Sequence, residues 1–483
     1  MTDVALALLP TVAVLVALLG LRWSGLGAAG LAVAVATALF ALGAFRPPTH
    51  LVVAQAVPDA LLITLLVASM VVPGVLFVIA ASRRRASETL AGLVGAIDLP
   101  PASRVIVIAL GIGVVVESLT GSGVSLLVTV PLLLRFTDRT RCMSLALIGM
   151  SLMPWGALAI SAHVAGGLAG IPVVELTTPI WWLSGCIALI LPVLCLVVVG
   201  AKQTSPRDVV FAIPAGIVLA GTAGLAGTGI GIETAGVLGG LAVLALGIAA
   251  SSTRRGLGAA LAEPGLRPYL ALIVVVLGQK LAIATLVPAL GVNPVLSTGR
   301  VTFRLLTSPG IPLLIVTLLA MAGSLDLAAV RQMVERSWRA LATVLLFMLS
   351  ARLMLEIGAF AALARQVAQL GQDMAIVATT LLGAASGFIT GSGVSANGLF
   401  MPGAAAIGQE FGLTRLFAAI QNCSAGHVAM ASLPVGAILL AALPDRQRGD
   451  DRHLLVTGLW LAALYTALIA AVAIGAARLG VGA

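Results

Sequence analysis

Apolar runs of about 20 residues, divided by short polar breaks, recur from one end of the chain to the other. Each is long enough for a helix to cross a bilayer core of roughly 30 Å. The strands of a membrane barrel alternate polar and apolar residues; these runs do not, so they predict helices. Spans are expected at 4–21, 24–44, 59–81, 143–167, 178–200, 208–226, 233–251, 268–290, 311–325, 340–362, 413–443 and 454–477. Two further apolar stretches, 104–134 and 374–408, are each interrupted midway by a polar, glycine-rich hexapeptide.

The two interruptions are the same sequence. Thr120-Gly121-Ser122-Gly123-Val124-Ser125 returns as Thr390-Gly391-Ser392-Gly393-Val394-Ser395. Pro131 and Pro402 follow at similar distances, and Thr140-Arg141 and Thr414-Arg415 precede the next long run. This pattern predicts an internal duplication, with repeats near 24–200 and 268–477. If both interrupted stretches enter and leave on one side and the N-terminus lies outside, most of the 27 Lys and Arg fall on the inner side. They include Arg22, Arg83, Arg84, Arg85, Arg135, Arg139, Arg141, Arg254, Arg255, Arg446, Arg448 and Arg452, whereas Arg300 is among the few left outside. Positive residues concentrate on the cytoplasmic side of membrane proteins. That arrangement inverts one repeat relative to the other, a feature of secondary transporters. It places both termini outside and reads the first 20 residues, with Asp3 and no basic start, as a retained helix.

Composition supports a membrane protein. The 483 residues are 60% hydrophobic and 9% charged, with a mean hydropathy of +1.15, against about 25% charged in soluble domains. The net charge of +9 is spread over short loops and forms no continuous basic face, so no nucleic-acid partner is expected. Cys142, Cys186, Cys195 and Cys423 lack metal-ligand spacing and read as small buried apolar groups. No cofactor or metal is expected.

The interruptions carry the candidate chemistry. A glycine-rich break in mid-membrane frees backbone N–H and C=O groups, which survive only inside protein or beside a wet cavity. A half-helix starting after the break turns its positive end toward the midplane and favours anions. The candidate substrate-binding residues are Gly121, Ser122, Gly123, Ser125, Gly391, Ser392, Gly393, Ser395, Asn397, Asn422, Ser424 and Lys280. A plainer role for such glycines is close helix packing. The helices that follow break pattern at Met153-Pro154-Trp155-Gly156 and at Gln421–His427, with Pro434 beyond. Ionisable residues in spans are functional candidates. Glu117 and His427 are the ion-coupling candidates, although Glu117 would equally bond freed N–H groups. Lys280 would neutralise an anion, pair with Glu117 or reach the interface. Arg352 and Glu356, four apart on one face, read as a structural pair, and His163 as structural. A membrane-embedded enzyme is the competing class, but the four His form no metal pair.

Glu117–Ser125 and Pro154-Trp155-Gly156-Ala157 resemble the first signature region of the bacterial L-lactate/glycolate permease family. Gly387–Phe400 resembles the second, and Asn422–Gly426 with Pro434 resembles the pattern that follows it. The resemblance implies an all-α polytopic protein of about 12 transmembrane helices and two re-entrant hairpins, in inverted repeat. It implies an elevator-type cycle, in which 104–167 and 374–443 move against a scaffold formed by the remaining helices. It also implies proton-coupled symport of lactate or another 2-hydroxy-monocarboxylate across the bacterial inner membrane. A sodium-coupled carboxylate transporter or a cation/proton antiporter of the same superfamily is the alternative. The expected partners are the organic anion, a coupling proton or sodium, the bilayer and, as one assembly, a second copy of the chain. The chain departs from the family pattern at Met430, at Gln279-Lys280 and at both hexapeptides.

Overall fold

Among the described residues the chain forms nineteen helices, most of them at the apolar runs, and one small hairpin of strands. The computed structural model describes residues 2–21, 23–83, 89, 92, 97–121, 123–251, 258, 263–290, 294–298, 301–321 and 326–480. Ser122, Arg22, Arg84, Arg85, Arg254, Arg255 and Arg300, used in the sequence reading, lie outside these residues. In chain order the elements are α1 (Thr2–Leu15), α2 (Gly25–Ala41), α3 (His50–Arg83), α4 (Pro101–Thr120), α5 (Val124–Leu133), α6 (Arg139–Gly149), α7 (Gly156–Ala169) and α8 (Val173–Val199). Then come α9 (Pro206–Gly229), α10 (Ile232–Ala250), α11 (Arg267–Leu290), β1 (Val295–Ser297), β2 (Thr302–Arg304), α12 (Gly310–Ala320), α13 (Leu327–Glu356) and α14 (Ala359–Ala368). The last are α15 (Gln372–Thr390), α16 (Gly393–Glu410), α17 (Thr414–Ala429), α18 (Leu433–Ala442) and α19 (Asp450–Arg478).

Ten candidate spans among the described residues are long and apolar enough to cross a membrane, and one of them joins α17 and α18. The pair Arg139–Gly149 and Met153–Ala169, bent by 50°, makes an eleventh if it is one span. Apolar side chains on α9, α11 and α19, such as Val210, Val274 and Trp460, face outward. Lipid accounts for that exposure, since water would penalise it.

Several expected spans differ in form. The run 143–167 is two helices, because Pro154 and Gly156 interrupt it; Ala157, Leu158 and Ala159 then adopt left-handed φ of 46°, 55° and 55°. Such a turn costs L-residues about 1–2 kcal/mol each, so the surrounding packing has to hold it. The run 413–443 divides before Ser432, whose hydroxyl accepts from Val435 N and starts α18. The run 340–362 divides at Gly358, and α3 begins nine residues before the expected 59, at His50. The antiparallel strands β1 and β2 were not expected; Val301 and Phe303 of this segment are buried.

Small residues set the packing. Along α10, a Cβ on Gly240 would lie 2.9 Å from Gly111 O and from Val115 N, and one on Gly236 would overlap Ser118 Oγ. Glycines four apart thus let α4 and α10 touch backbone to backbone. Gly383 and Gly387 of α15 do the same against Ser424 and Ala425 of α17. Asp208 anchors the start of α4: it closes a capping box with Ser205 at α9, and its Oδ1 accepts from Ser103 N (2.7 Å) and Ser103 Oγ (2.6 Å).

Candidate functional site

Both hexapeptides end one helix and start another. At the first, α4 ends at Gly121 (φ 67°) and α5 begins after Gly123 (φ 77°). The two arms fold back on each other. Ser125 Oγ donates to Glu117 Oε2 at 2.8 Å, and Gly123 N donates to Glu117 Oε1 at 3.3 Å. Further from the turn, a Cβ on Gly113 would sit 3.2 Å from Thr129 Cγ2. Contacts at 117–125 and 113–129 share a midpoint at residue 121, the signature of an antiparallel pair. Glu117 is therefore placed as a brace of the turn, with both carboxylate oxygens engaged.

The second hexapeptide repeats the design. Gly391 (φ 64°) ends α15, and Ser392 caps α16 by accepting from Ser395 N at 3.4 Å. Gln421 of α17 spans the two arms: its Nε2 donates to Ser386 Oγ (3.3 Å) and Ala396 O (3.4 Å), partners equally distant from Gly391. The first glycine of each hexapeptide is required twice over. Its φ is left-handed, and there is no room for a side chain. A Cβ would lie 2.6 Å from Ala157 Cβ at Gly121, and 2.7 Å from Ser432 Oγ at Gly391. Each tip thus packs against the break in the helix pair that follows it in sequence.

Those two breaks cross each other. A Cβ on Gly426 of α17 would sit 2.7 Å from Pro154 Cγ. His427 Nδ1 donates to Ser151 O at 2.5 Å, a carbonyl beside the first break, and its Nε2 accepts from Ser184 Oγ at 3.0 Å. Ser151 Oγ bonds Tyr465 at 2.8 Å. Side chains from the second half thus satisfy carbonyls freed in the first, as a non-aqueous surrounding requires.

Beside this crossing lies a buried amide cluster. Asn397 Nδ2 donates to Ser161 O on α7 and to Asn422 Oδ1 on α17, both at 2.9 Å. Asn397, Asn422 and Gln421 are 0% exposed, yet Asn397 Oδ1, Asn422 Nδ2 and Gln421 Oε1 have no hydrogen-bond partner among the described residues. An unsatisfied buried amide group costs about 1–3 kcal/mol, and three together are uncommon. The cluster offers two acceptors and a donor beside the N-terminal end of α16.

The candidate residues do not all converge. Gly393 packs on Ser161, so Gly391, Ser392, Gly393, Ser395, Asn397 and Asn422 gather around α16 and α17. Gly121, Gly123, Ser125 and Glu117 form the first tip. Ser424 bonds back to Ile420 O at 2.6 Å. Lys280 stands apart from both tips: its Nζ donates to Glu233 Oε1 at 2.9 Å, so its partner is Glu233 and not Glu117. His163 Nε2 lies 3.2 Å from the same oxygen, in contact with charged groups despite its structural reading. Arg352 pairs with Asp59 and, at 3.9 Å, with Glu356, and Thr298 Oγ1 also donates to Asp59. The sequence reading did not single out Glu233, Asp59, Ser161 or Ser184. Glu233 and Asp59 each sit at the edge of an apolar run, where a carboxylate reads as a helix start; a count of every acid within reach of an apolar run would have found both.

Comparison with protein families matches residues 273–479 to the family described as L-lactate permease. The second half of this chain is thus similar to lactate permeases. The matched residues hold Lys280, the second hexapeptide, the amide cluster on α16 and α17, and all of α19. The first hexapeptide and the Pro154–Ala157 break precede them. A search of curated proteins returns no match. The candidate spans make the chain a multi-pass membrane protein, and the matched half resembles a transport family.

Proposed function

We propose that the chain is a secondary active transporter that carries lactate or another 2-hydroxy-monocarboxylate, together with a proton, across the bacterial inner membrane. The observation that carries this reading is the buried amide cluster at Asn397, Asn422 and Gln421, where the second tip meets the first broken span. A carboxylate there would accept from Asn422 Nδ2 and from free N–H groups at the start of α16, whose dipole favours an anion. A 2-hydroxyl would donate to Asn397 Oδ1. The lactate-permease match supports the substrate class.

The reading extends to the whole fold. A hairpin (α4–α5), a broken pair (α6–α7) and a long helix (α8) recur as α15–α16, α17–α18 and α19. This recurrence, with the duplicated hexapeptide, supports two inverted repeats whose hairpins re-enter from opposite faces, with both chain termini periplasmic. It supports 104–167 and 374–443 as the parts that move, in an elevator-type cycle. A sodium-coupled carrier is the second reading, because the orphaned Asn397 Oδ1 and Gln421 Oε1 are carbonyl oxygens of the kind that bind hard cations.

Purified protein in liposomes, loaded with unlabelled lactate and diluted into labelled lactate, is the test. The expected result is saturable counterflow, inhibited by glycolate and not by dicarboxylates, and net uptake driven by an inward proton gradient. Uptake driven by sodium alone selects the second reading. Counterflow no greater than in protein-free liposomes defeats both.

A further inference from the structure

We propose that His163, Glu233 and Lys280 form the site at which the coupling proton is bound and released. The inference rests on the transport reading above and locates its proton.

Three helices meet at this point. Glu233 at the start of α10 is buried (4% exposed). Its Oε1 takes Lys280 Nζ from α11 at 2.9 Å and lies 3.2 Å from His163 Nε2 on α7. Its Oε2 has no hydrogen-bond partner among the described residues, and neither does His163 Nε2, although it sits at ion-pair distance. His163 Nε2 and the Glu233 carboxylate thus stand at ion-pair distance without an aligned hydrogen bond between them. A proton delivered to His163 makes the ring a cation held against the Glu233 carboxylate, and its departure restores the neutral ring. Lys280 balances the charge of the carboxylate it pairs with.

Four other titratable groups on the helices around this point are engaged elsewhere. Glu117 of α4 is held by Ser125 and Gly123. Asp59 of α3 is held by Arg352 and Thr298. His427 of α17 has both ring nitrogens bonded, and Glu175 of α8 pairs with Arg415 at 2.8 Å. His163 is also tied to the amide cluster. Two residues before it, Ser161 O accepts from Asn397 Nδ2. A change in the pull between α7 and α10 therefore reaches Asn397 through about half a helical turn. The cluster also joins an element of the proposed moving part, α7, to two of the proposed scaffold, α10 and α11. A proton there biases the contact that has to break in each cycle.

The test compares wild type, His163→Gln and His163→Asn in liposomes, reading lactate counterflow without a gradient and the stimulation of net uptake by an inward proton gradient. The comparison is repeated between about pH 5 and 8, the range over which histidines change charge. The expected result is counterflow that persists in both variants, while stimulation falls to about one-fold and the pH profile flattens. Full stimulation in either variant overturns the proposal. Loss of counterflow in both also overturns it, since that assigns the cluster to structure. Wild-type protein that carries lactate without any proton stimulation, or carries none, contradicts the parent reading instead.

Discussion

Asn397→Ala is expected to cut lactate uptake at least tenfold while the protein still inserts and purifies as a single species. The amide joins three elements at the point where the second hairpin meets the first broken span. Its Nδ2 serves both Ser161 O and Asn422 Oδ1, and its Oδ1 is left open. Alanine removes the donor from two buried acceptors at once, each worth about 1–3 kcal/mol when left unpaired. It also deletes the acceptor proposed for the substrate hydroxyl. Since about 1.4 kcal/mol is a factor of ten, even the smaller end of that range gives the stated loss. Uptake in liposomes, scaled to the amount of inserted protein, is the measurement. Activity above half of wild type would remove Asn397 from the site.

The largest effect on stability is expected at Arg352, away from the proposed binding cluster. Arg352 is 1% exposed, and its guanidinium engages Asp59 from α3 and Glu356 from its own helix. Arg352→Ala leaves two carboxylates buried around an empty space. Breaking a buried ion pair in this way costs about 3–5 kcal/mol, a large share of the stability of most folds. The expected outcome is little or no monodisperse protein after detergent extraction. The combined variant Asp59→Leu, Arg352→Met, Glu356→Leu is expected to recover a folded, extractable protein, because apolar replacement of a whole buried cluster is often neutral or stabilising. Normal yield from Arg352→Ala alone would show that the cluster is not what joins α13 to α3.

Where the polypeptide breaks was legible in the sequence, because breaking a membrane helix takes residues that apolar runs otherwise lack. Gly121-Ser122-Gly123, Gly391-Ser392-Gly393 and Pro154-Trp155-Gly156 announce themselves by composition, and the structure interrupts its helices at each. Most span positions followed for the same reason. What the breaks touch was not legible. Nothing in the sequence brings Asn397 to Ser161, or His427 to Ser151, since those contacts depend on how two broken helices cross. Charge partners failed in a particular way. Lys280 was weighed against Glu117 because both lie well inside apolar runs, whereas its partner Glu233 sits at the mouth of one. Asp59 was hidden likewise, because α3 starts at His50 and buries a carboxylate that the expected span placed at its edge. The strands β1 and β2, three residues each, carry too little periodicity to stand out from a loop.

The central claim is that the two glycine-bearing tips belong to inverted hairpins that enter from opposite sides of the membrane. Single cysteines at Val124 and Val394, the matching positions of the two hexapeptides, can be probed with a membrane-impermeant thiol reagent in sealed vesicles of known orientation. The four natural cysteines are buried or half-buried and serve as the unlabelled background. The account predicts that Val124→Cys is labelled from the cytoplasmic side and Val394→Cys from the periplasmic side, with lactate protecting Val394→Cys. Labelling of both positions from a single side, with and without lactate, would contradict it.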